Sequence, residues 1–344
     1  MEYSAVRAIT DKNNRENNMG LFDEQVSRKP NNYPWTQEII DALWHSFWTP
    51  NEFSFRSDYS QFHSELTEQE RQVVVRTLSA IGQIEIAVKR FWADLGKTFP
   101  HPSMSDMGLV MGNNEVIHNQ AYEKLLEVLG LQSAFDDALN EPAMKGRVSY
   151  LRKYLNRKYE DDRKQYVYAL ILFTLFVENC SLFSQFYTIM YFNRFKAVLK
   201  DTAQQVQYTR NEELLHSKAG ILLINTLRDE YPDLFDEELI QRVKEECELG
   251  VKYEESIIDW MLGDYEGEAI SSDILKAYNK GRMNLAMKAI GFEEIPMTES
   301  ELNLLDQTEW MDEETYGATM TDFFQKRPVE YAKNNRDFDS EDLF

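Results

Sequence analysis

Apolar residues recur every three to four positions along four long stretches of this chain, at about residues 67–95, 104–129, 160–190 and 196–227. That period predicts long helices, each burying one face. The stripes run through Val74, Leu78, Ile81, Glu85, Val88 and Trp92 in the first stretch. They continue through Met111, Glu115, His118, Tyr122 and Leu125 in the second, and Ile171, Leu175, Glu178, Leu182 and Phe186 in the third. The fourth holds Val206, Thr209, Glu213, His216 and Gly220. Shorter helices are predicted at Gln37–Trp48, opened by Pro34 and Thr36 and ended by Thr49-Pro50-Asn51, and at 140–156, 236–262 and 272–290. Residues 52–65 are aromatic-rich and read as irregular. Residues 1–33 hold no apolar period and read as a flexible segment. The expected division is a flexible stretch over 1–33, a helical domain over 34–320 and a flexible tail over 321–344.

Each of the four stripes carries an ionisable residue where a core would take Leu. A buried carboxylate is costly unless it is paired or binds a metal. Read as helices, the second stretch sets Glu115, His118 and Tyr122 on one face and the fourth sets Glu213 with His216, because residues three and four apart are neighbours there. The set is therefore one Glu from each of two helices, Glu85 and Glu178, and a Glu-x-x-His pair from each of the other two. This is the ligand arrangement of ferritin-like dimetal carboxylate proteins. One such pair on one helix is ordinarily a solvated face; two pairs with two further stripe carboxylates are not. Four carboxylates and two imidazoles suit two ions such as Mn or Fe, and no thiolate lies in the stripes to indicate structural zinc. Tyr122 places an oxidisable phenol beside this set. The predicted fold is all-α, a ferritin-like four-helix bundle with additional helices and a dimetal-carboxylate site in its core.

Composition narrows the partners. A formal net charge of −22 over 344 residues repels nucleic acid and anionic membrane surfaces. Two cysteines, Cys180 and Cys247, are too few for a disulfide framework and fit a cytoplasmic protein. The longest apolar run, Tyr166 to Val177, is twelve residues, short of the roughly 20 that span a bilayer. Met1–Arg15 lacks the apolar centre of a signal peptide. No glycine-rich phosphate loop is present.

At these residues the chain resembles the small, radical-generating subunit of class I ribonucleotide reductase, over roughly residues 35–344. Asn114-Glu115-Val116-Ile117-His118-Asn119-Gln120-Ala121-Tyr122 is similar to that family's E-x-I-H-x-x-x-Y. Arg210-Asn211-Glu212-Glu213-Leu214-Leu215-His216 resembles its R-D-E-x-x-H, and Trp48-Thr49-Pro50-Asn51-Glu52 its W-x-P-x-E. The resemblance implies a homodimer whose two metal ions per chain react with an oxygen species. The oxidising equivalent passes to a large catalytic subunit, where ribonucleotides are reduced to deoxyribonucleotides. It implies Tyr122 at the radical position and Trp48 on the transfer route, with Glu212 linking a metal-bound His to Trp48. It also implies Tyr331 as the tail tyrosine between subunits, and the acidic, aromatic end at 337–344 as the docking peptide.

The chain departs from the family pattern at three places. Glu85 stands where the commonest class has Asp, as in subclasses that use manganese or mixed metals. Lys89 lies one turn later on the same face, towards Tyr122. Together these favour a dimanganese site over a di-iron one, leave open whether Tyr122 is oxidised or stays reduced and hydrogen-bonded to Lys89, and admit an activating flavoprotein. Third, Glu212 precedes Glu213 where Asp-Glu is expected, which implies one inserted residue; a π-bulge in the third or fourth helix would absorb it. No ATP-binding regulatory cone is expected before residue 35. The rival readings are a stand-alone dimetal oxidase acting on an organic substrate, and metal storage.

Overall fold

Helix boundaries follow from local chemistry. In the computed structural model, which describes residues 20–311 less the side chains of residues 83–89, α1 spans Trp35–His45, α2 Arg56–Ser64, α3 Glu68–Ala93 and α4 Pro102–Leu129. Thr67 and Glu70 form a capping box at the start of α3. Pro102 sits in the first turn of α4, and Gly130, at φ 73°, ends it in the left-handed region that only glycine adopts freely. Then follow α5 (Pro142–Leu151), α6 (Asp162–Leu172), a π-helical segment π1 (Phe173–Ser181), α7 (Phe183–Lys196), α8 (Lys200–Glu230), α9 (Glu237–Leu262) and α10 (Ser272–Ala289). Among the described residues there is no β-strand, only an isolated antiparallel bridge between Gly267 and Ile270.

The bundle is made by α3, α4, the continuous α6–π1–α7 rod and α8. The most extensive pairing is α3 against α4, while α8 packs on π1 and α7. The Asp162–Lys196 rod is long and apolar enough to cross a membrane, but its apolar stretch is wholly buried and serves as the central core helix. α9 and α10 cover it from one side, and α1 lies on α4.

The π-helical turn falls in the third helix, one of the two places expected. Widening a helix to i→i+5 bonding needs support, and side chains supply it. Asn179 Nδ2 donates to the Thr174 carbonyl at 2.8 Å, Ser181 Oγ to the Phe176 carbonyl, and Arg282 Nε to the Asn179 carbonyl at 2.8 Å. Ser217 Oγ, on α8, donates to Asn179 Oδ1 at 2.7 Å and ties the turn to the next helix.

Three boundaries differ from the sequence reading. Residues 56–64 are helical, not irregular; Asp58 and Phe62 are the buried positions, and the aromatics between them obscure the period. Asp58 then caps α8, accepting from both the amide and the hydroxyl of Thr202 at 2.7 Å. Second, α1 ends at His45, so Trp48 lies in the connection before Pro50. Third, residues 20–33, expected to be flexible, are held against the bundle. Leu21 is fully buried, and its N–H donates to Glu230 at 2.7 Å. Tyr33 OH bonds the same carboxylate at 3.0 Å.

Candidate metal centre and identification

Three helical elements, α4, π1 and α8, bring ionisable residues to one place. Glu115, Glu178, Glu213 and His216 each offer a ligand atom within 4.8 Å of the others, and none is more than 2% exposed. His216 Nδ1 lies 3.0 Å from Glu115, 3.2 Å from Glu213 and 3.6 Å from Glu178. His118 joins from α4, its Nδ1 3.1 Å from Glu213 and 3.5 Å from Glu115. The two imidazole rings are 6.2 Å apart. Glu85 lies on α3, within the stretch whose side chains are not described, as does Lys89.

Among the described residues, three carboxylates converge on two imidazoles. Burial, followed by the charge of Glu213, pushes Glu178 well above the ordinary carboxylate range. Burial also opposes charge on His216, but the oxygens of Glu115, Glu178 and Glu213 around its ring outweigh it and raise the imidazole well above its usual value. Burial likewise works against Glu213, yet His118 and His216 bring it below the usual range. Both oxygens of Glu115 and Oε2 of Glu178 are buried and accept no well-formed hydrogen bond among the described residues. Such atoms carry a desolvation penalty of about 1–3 kcal/mol each, more when charged. Cations between the carboxylates remove that penalty, so the donor set fits a pair of transition-metal ions.

His118 shows which way the site faces. Its Nε2 is 2.7 Å from Glu212 Oε2. A carboxylate oxygen only accepts, so Nε2 carries the proton, and Nδ1 is turned to the carboxylate cluster. An imidazole with one nitrogen on a carboxylate and the other on the site is the arrangement that orients a metal-binding His. The same Glu212 oxygen accepts from Trp48 Nε1 at 3.0 Å. The indole and imidazole planes are 23° apart, with ring centres separated by 6.2 Å. Trp48, Glu212 and His118 thus form one buried chain from the α1–α2 connection to the carboxylate cluster. Tyr122, 1% exposed, lies one turn beyond His118 on α4.

Comparison with known proteins agrees with this geometry. Residues 25–301 match the model of the family described as ribonucleotide reductase, small chain. The chain belongs to the ribonucleotide reductase small-chain family. It is the radical-generating small subunit of a class I enzyme, an oxidoreductase. Its relatives in the family include a probable ribonucleoside-diphosphate reductase small subunit of Invertebrate iridescent virus 3, 24% identical over 91% of this chain and 86% of that one. The ribonucleoside-diphosphate reductase subunit beta of Halalkalibacterium halodurans is 21% identical over 98% of both. The fold is shared with the ribonucleotide reductase R2 subunit from Clostridium botulinum, at TM-score 0.73 and 19% identity over 86% of this chain and 94% of that one. It is also shared with an R2-like ligand-binding oxidase whose structure carries a reconstituted Mn/Fe cofactor. There the TM-score is 0.64 and the identity 20%, over 78% and 98% of the two chains.

The small-chain site contains residues that the pattern reading passed over. Trp92, placed in the apolar stripe, donates from Nε1 to Glu178 Oε1 at 2.7 Å. The available signal was its spacing, seven residues after Glu85 and so on the same helical face. Asn114 Nδ2 donates to Glu212 Oε1 at 2.9 Å; it lies four residues before His118, again on one face. The Asn179–Ser217 tie joins the neighbours of Glu178 and His216, and no spacing rule links two residues on different helices. Tyr331 and the 337–344 peptide lie outside the described residues.

Proposed function

We propose that Glu85, Glu115, His118, Glu178, Glu213 and His216 hold two transition-metal ions per chain. Dimanganese is favoured over di-iron because of Glu85 and Lys89. The observation that carries this reading is the buried carboxylate cluster with orphaned oxygens, onto which His118 turns Nδ1 while Glu212 holds its Nε2. A bound metal pair supplies the redox chemistry with an oxygen species. The protein's part is to keep the ligands dry and oriented. Trp92 fixes Glu178, and Glu212 fixes both His118 and Trp48. Tyr122 stands beside the pair, either as the oxidised group or reduced and bonded to Lys89.

In this reading an electron moves inward by way of Tyr331 and Trp48, and the oxidising equivalent so delivered to the large subunit starts ribonucleotide reduction there. Residues 321–344 act as the docking tail, with Phe338, Leu343 and Phe344 as anchors. The protein works in the cytoplasm as a homodimer, with an activating flavoprotein as a further partner. Support for a second copy comes from an apolar face on α1, the connection after it and α4, where Trp44, Phe47 and Leu109 are 60%, 56% and 57% exposed. A stand-alone oxidase would need neither Tyr331 nor a docking tail.

Protein purified without added metal should contain about two Mn or Fe ions per chain, the count this ligand set holds. Electron paramagnetic resonance should then show a tyrosyl radical or a coupled two-metal signal. Absence of metal would refute the site. Deleting residues 337–344 should abolish activity with the large subunit and leave the spectrum unchanged; retained activity would refute the tail assignment.

A further inference from the structure

We propose that Asn114 is a positioning residue: it locks the Glu212 carboxylate in the orientation in which a single oxygen serves both Trp48 and His118. The inference rests on the transfer route proposed above only for its consequence; the geometry stands by itself.

Glu212 is fully buried. Oε2 receives both rings, Trp48 Nε1 at 3.0 Å and His118 Nε2 at 2.7 Å, while Oε1 receives Asn114 Nδ2 at 2.9 Å. The last torsion of a Glu side chain is soft and roughly two-fold. Without a third donor, the carboxylate is free to turn about that torsion so that Oε2 stays with His118 and releases Trp48. Asn114 removes that choice by occupying Oε1. The two rings then remain linked through one atom. The extra methylene of Glu, relative to the Asp that the family pattern has here, makes such a constraint more necessary.

Packing and helix propensity do not explain Asn at this position. It is a poorer helix former than Ala or Leu by several tenths of a kcal/mol. Asn114 is 3% exposed, yet its Oδ1 has no hydrogen-bond partner among the described residues. Reversing the amide would point Oδ1 at the Glu212 carboxylate, oxygen against oxygen, so the carboxylate itself dictates the orientation. Asn114 also lines the surface groove formed by Leu43, Trp44, Phe47 and Leu109. It is therefore the wall between that groove and the Glu212 bridge.

The test uses the full chain labelled with ¹⁵N at its six tryptophans. The Trp48 indole N–H is assigned by its loss in Trp48→Phe. In Asn114→Leu and Asn114→Ala, the Trp48 signal should move towards the free-indole position. Its proton should exchange about ten-fold faster, the equivalent of one hydrogen bond. Asn114→Asp, which sets a second carboxylate against Glu212, should exchange faster still. The indole signals of Trp92 and Trp260 should stay in place. Two results overturn the proposal: an unmoved Trp48 signal in whichever of the Leu and Ala variants folds, or an equal shift of all the indoles, which marks general loosening. The transfer-route reading fails separately, if Trp48→Phe keeps full activity with the large subunit, and that result leaves the indole measurement intact.

Discussion

Two clusters of charge are buried in this protein, and they are built on opposite terms. Arg147, on α5, donates from Nε to Glu254 at 3.0 Å, from Nη2 to Gln185 at 2.9 Å and from Nη1 to the Ala80 carbonyl at 3.3 Å. Tyr150 OH adds a bond to the same Glu254 oxygen at 2.6 Å and another to Ser181 at 2.9 Å. One cation meets one anion, every guanidinium nitrogen donates, and among the described residues only Glu254 Oε2 is left without a well-formed hydrogen bond. In the carboxylate cluster, by contrast, Glu115, Glu178 and Glu213 converge on two imidazoles, and three of the oxygens accept no well-formed hydrogen bond among the described residues. Both sites are dry. The first is closed by its own charges and holds α5, π1, α7 and α9 together. The second is not closed by the charges of the described residues and fits cations from outside, and this imbalance marks it as the candidate site of chemistry.

The comparison can be broken most decisively at Glu115. Glu115→Leu should lower metal affinity more than about 100-fold, beyond what losing an outer-shell partner does, as read by metal titration. The same change should raise the melting temperature of the metal-free protein, because it removes one of three buried carboxylates crowded onto two imidazoles. A lower melting temperature in the metal-free variant would mean that the cluster is balanced without metal.

Arg147→Met should do the reverse. It strands Glu254 in the core and should destabilise the fold by about 3–5 kcal/mol, with most of the loss recovered in the Arg147→Met/Glu254→Leu double variant. Denaturant unfolding of the metal-free protein measures both. Equal damage from single and double variants would show that volume, not charge, is what matters there.

The smallest effect is expected at Tyr150→Phe, about 1–1.5 kcal/mol for the lost hydrogen bond. Its pH dependence is more telling. Burial raises Glu254 above the ordinary carboxylate value, against the opposing pull of Arg147, Tyr150 and Ser181. The folded state therefore holds the Glu254 proton more tightly than the unfolded chain does. Its contribution to stability is present below the unfolded carboxylate value and declines as pH rises through the folded one. Removing the Tyr150 donor raises Glu254 further, so the decline should extend to higher pH. Unfolding curves at several pH values would show it, and a pH profile identical to that of the unsubstituted protein would count against the assignment.

Much of the candidate site was legible because its residues obey helical spacing. Glu115 with His118 and Glu213 with His216 are one turn apart on single helices, and Glu178 interrupts an apolar stripe where a charge stands out. The Trp48–Glu212–His118 chain was recognisable only through the family resemblance, since its members lie on three separate elements. Trp92 and Asn114 were hidden by their chemistry. A tryptophan in an apolar stripe looks like core, and an asparagine beside a ligand looks like a neighbour without a role.

By itself, the sequence determined the helices, the faces they bury and the residues that spoil those faces with charge, because helical periodicity is a local property written residue by residue. Tertiary structure alone decided how the faces meet. It set where the third helix widens into π1, which oxygen of Glu212 each ring takes, and that Arg147 and Glu254 cancel while Glu115 and Glu178 do not. Those outcomes depend on distances of about 3 Å between side chains from different helices, the range at which hydrogen bonds form or fail, and no spacing along one chain encodes them.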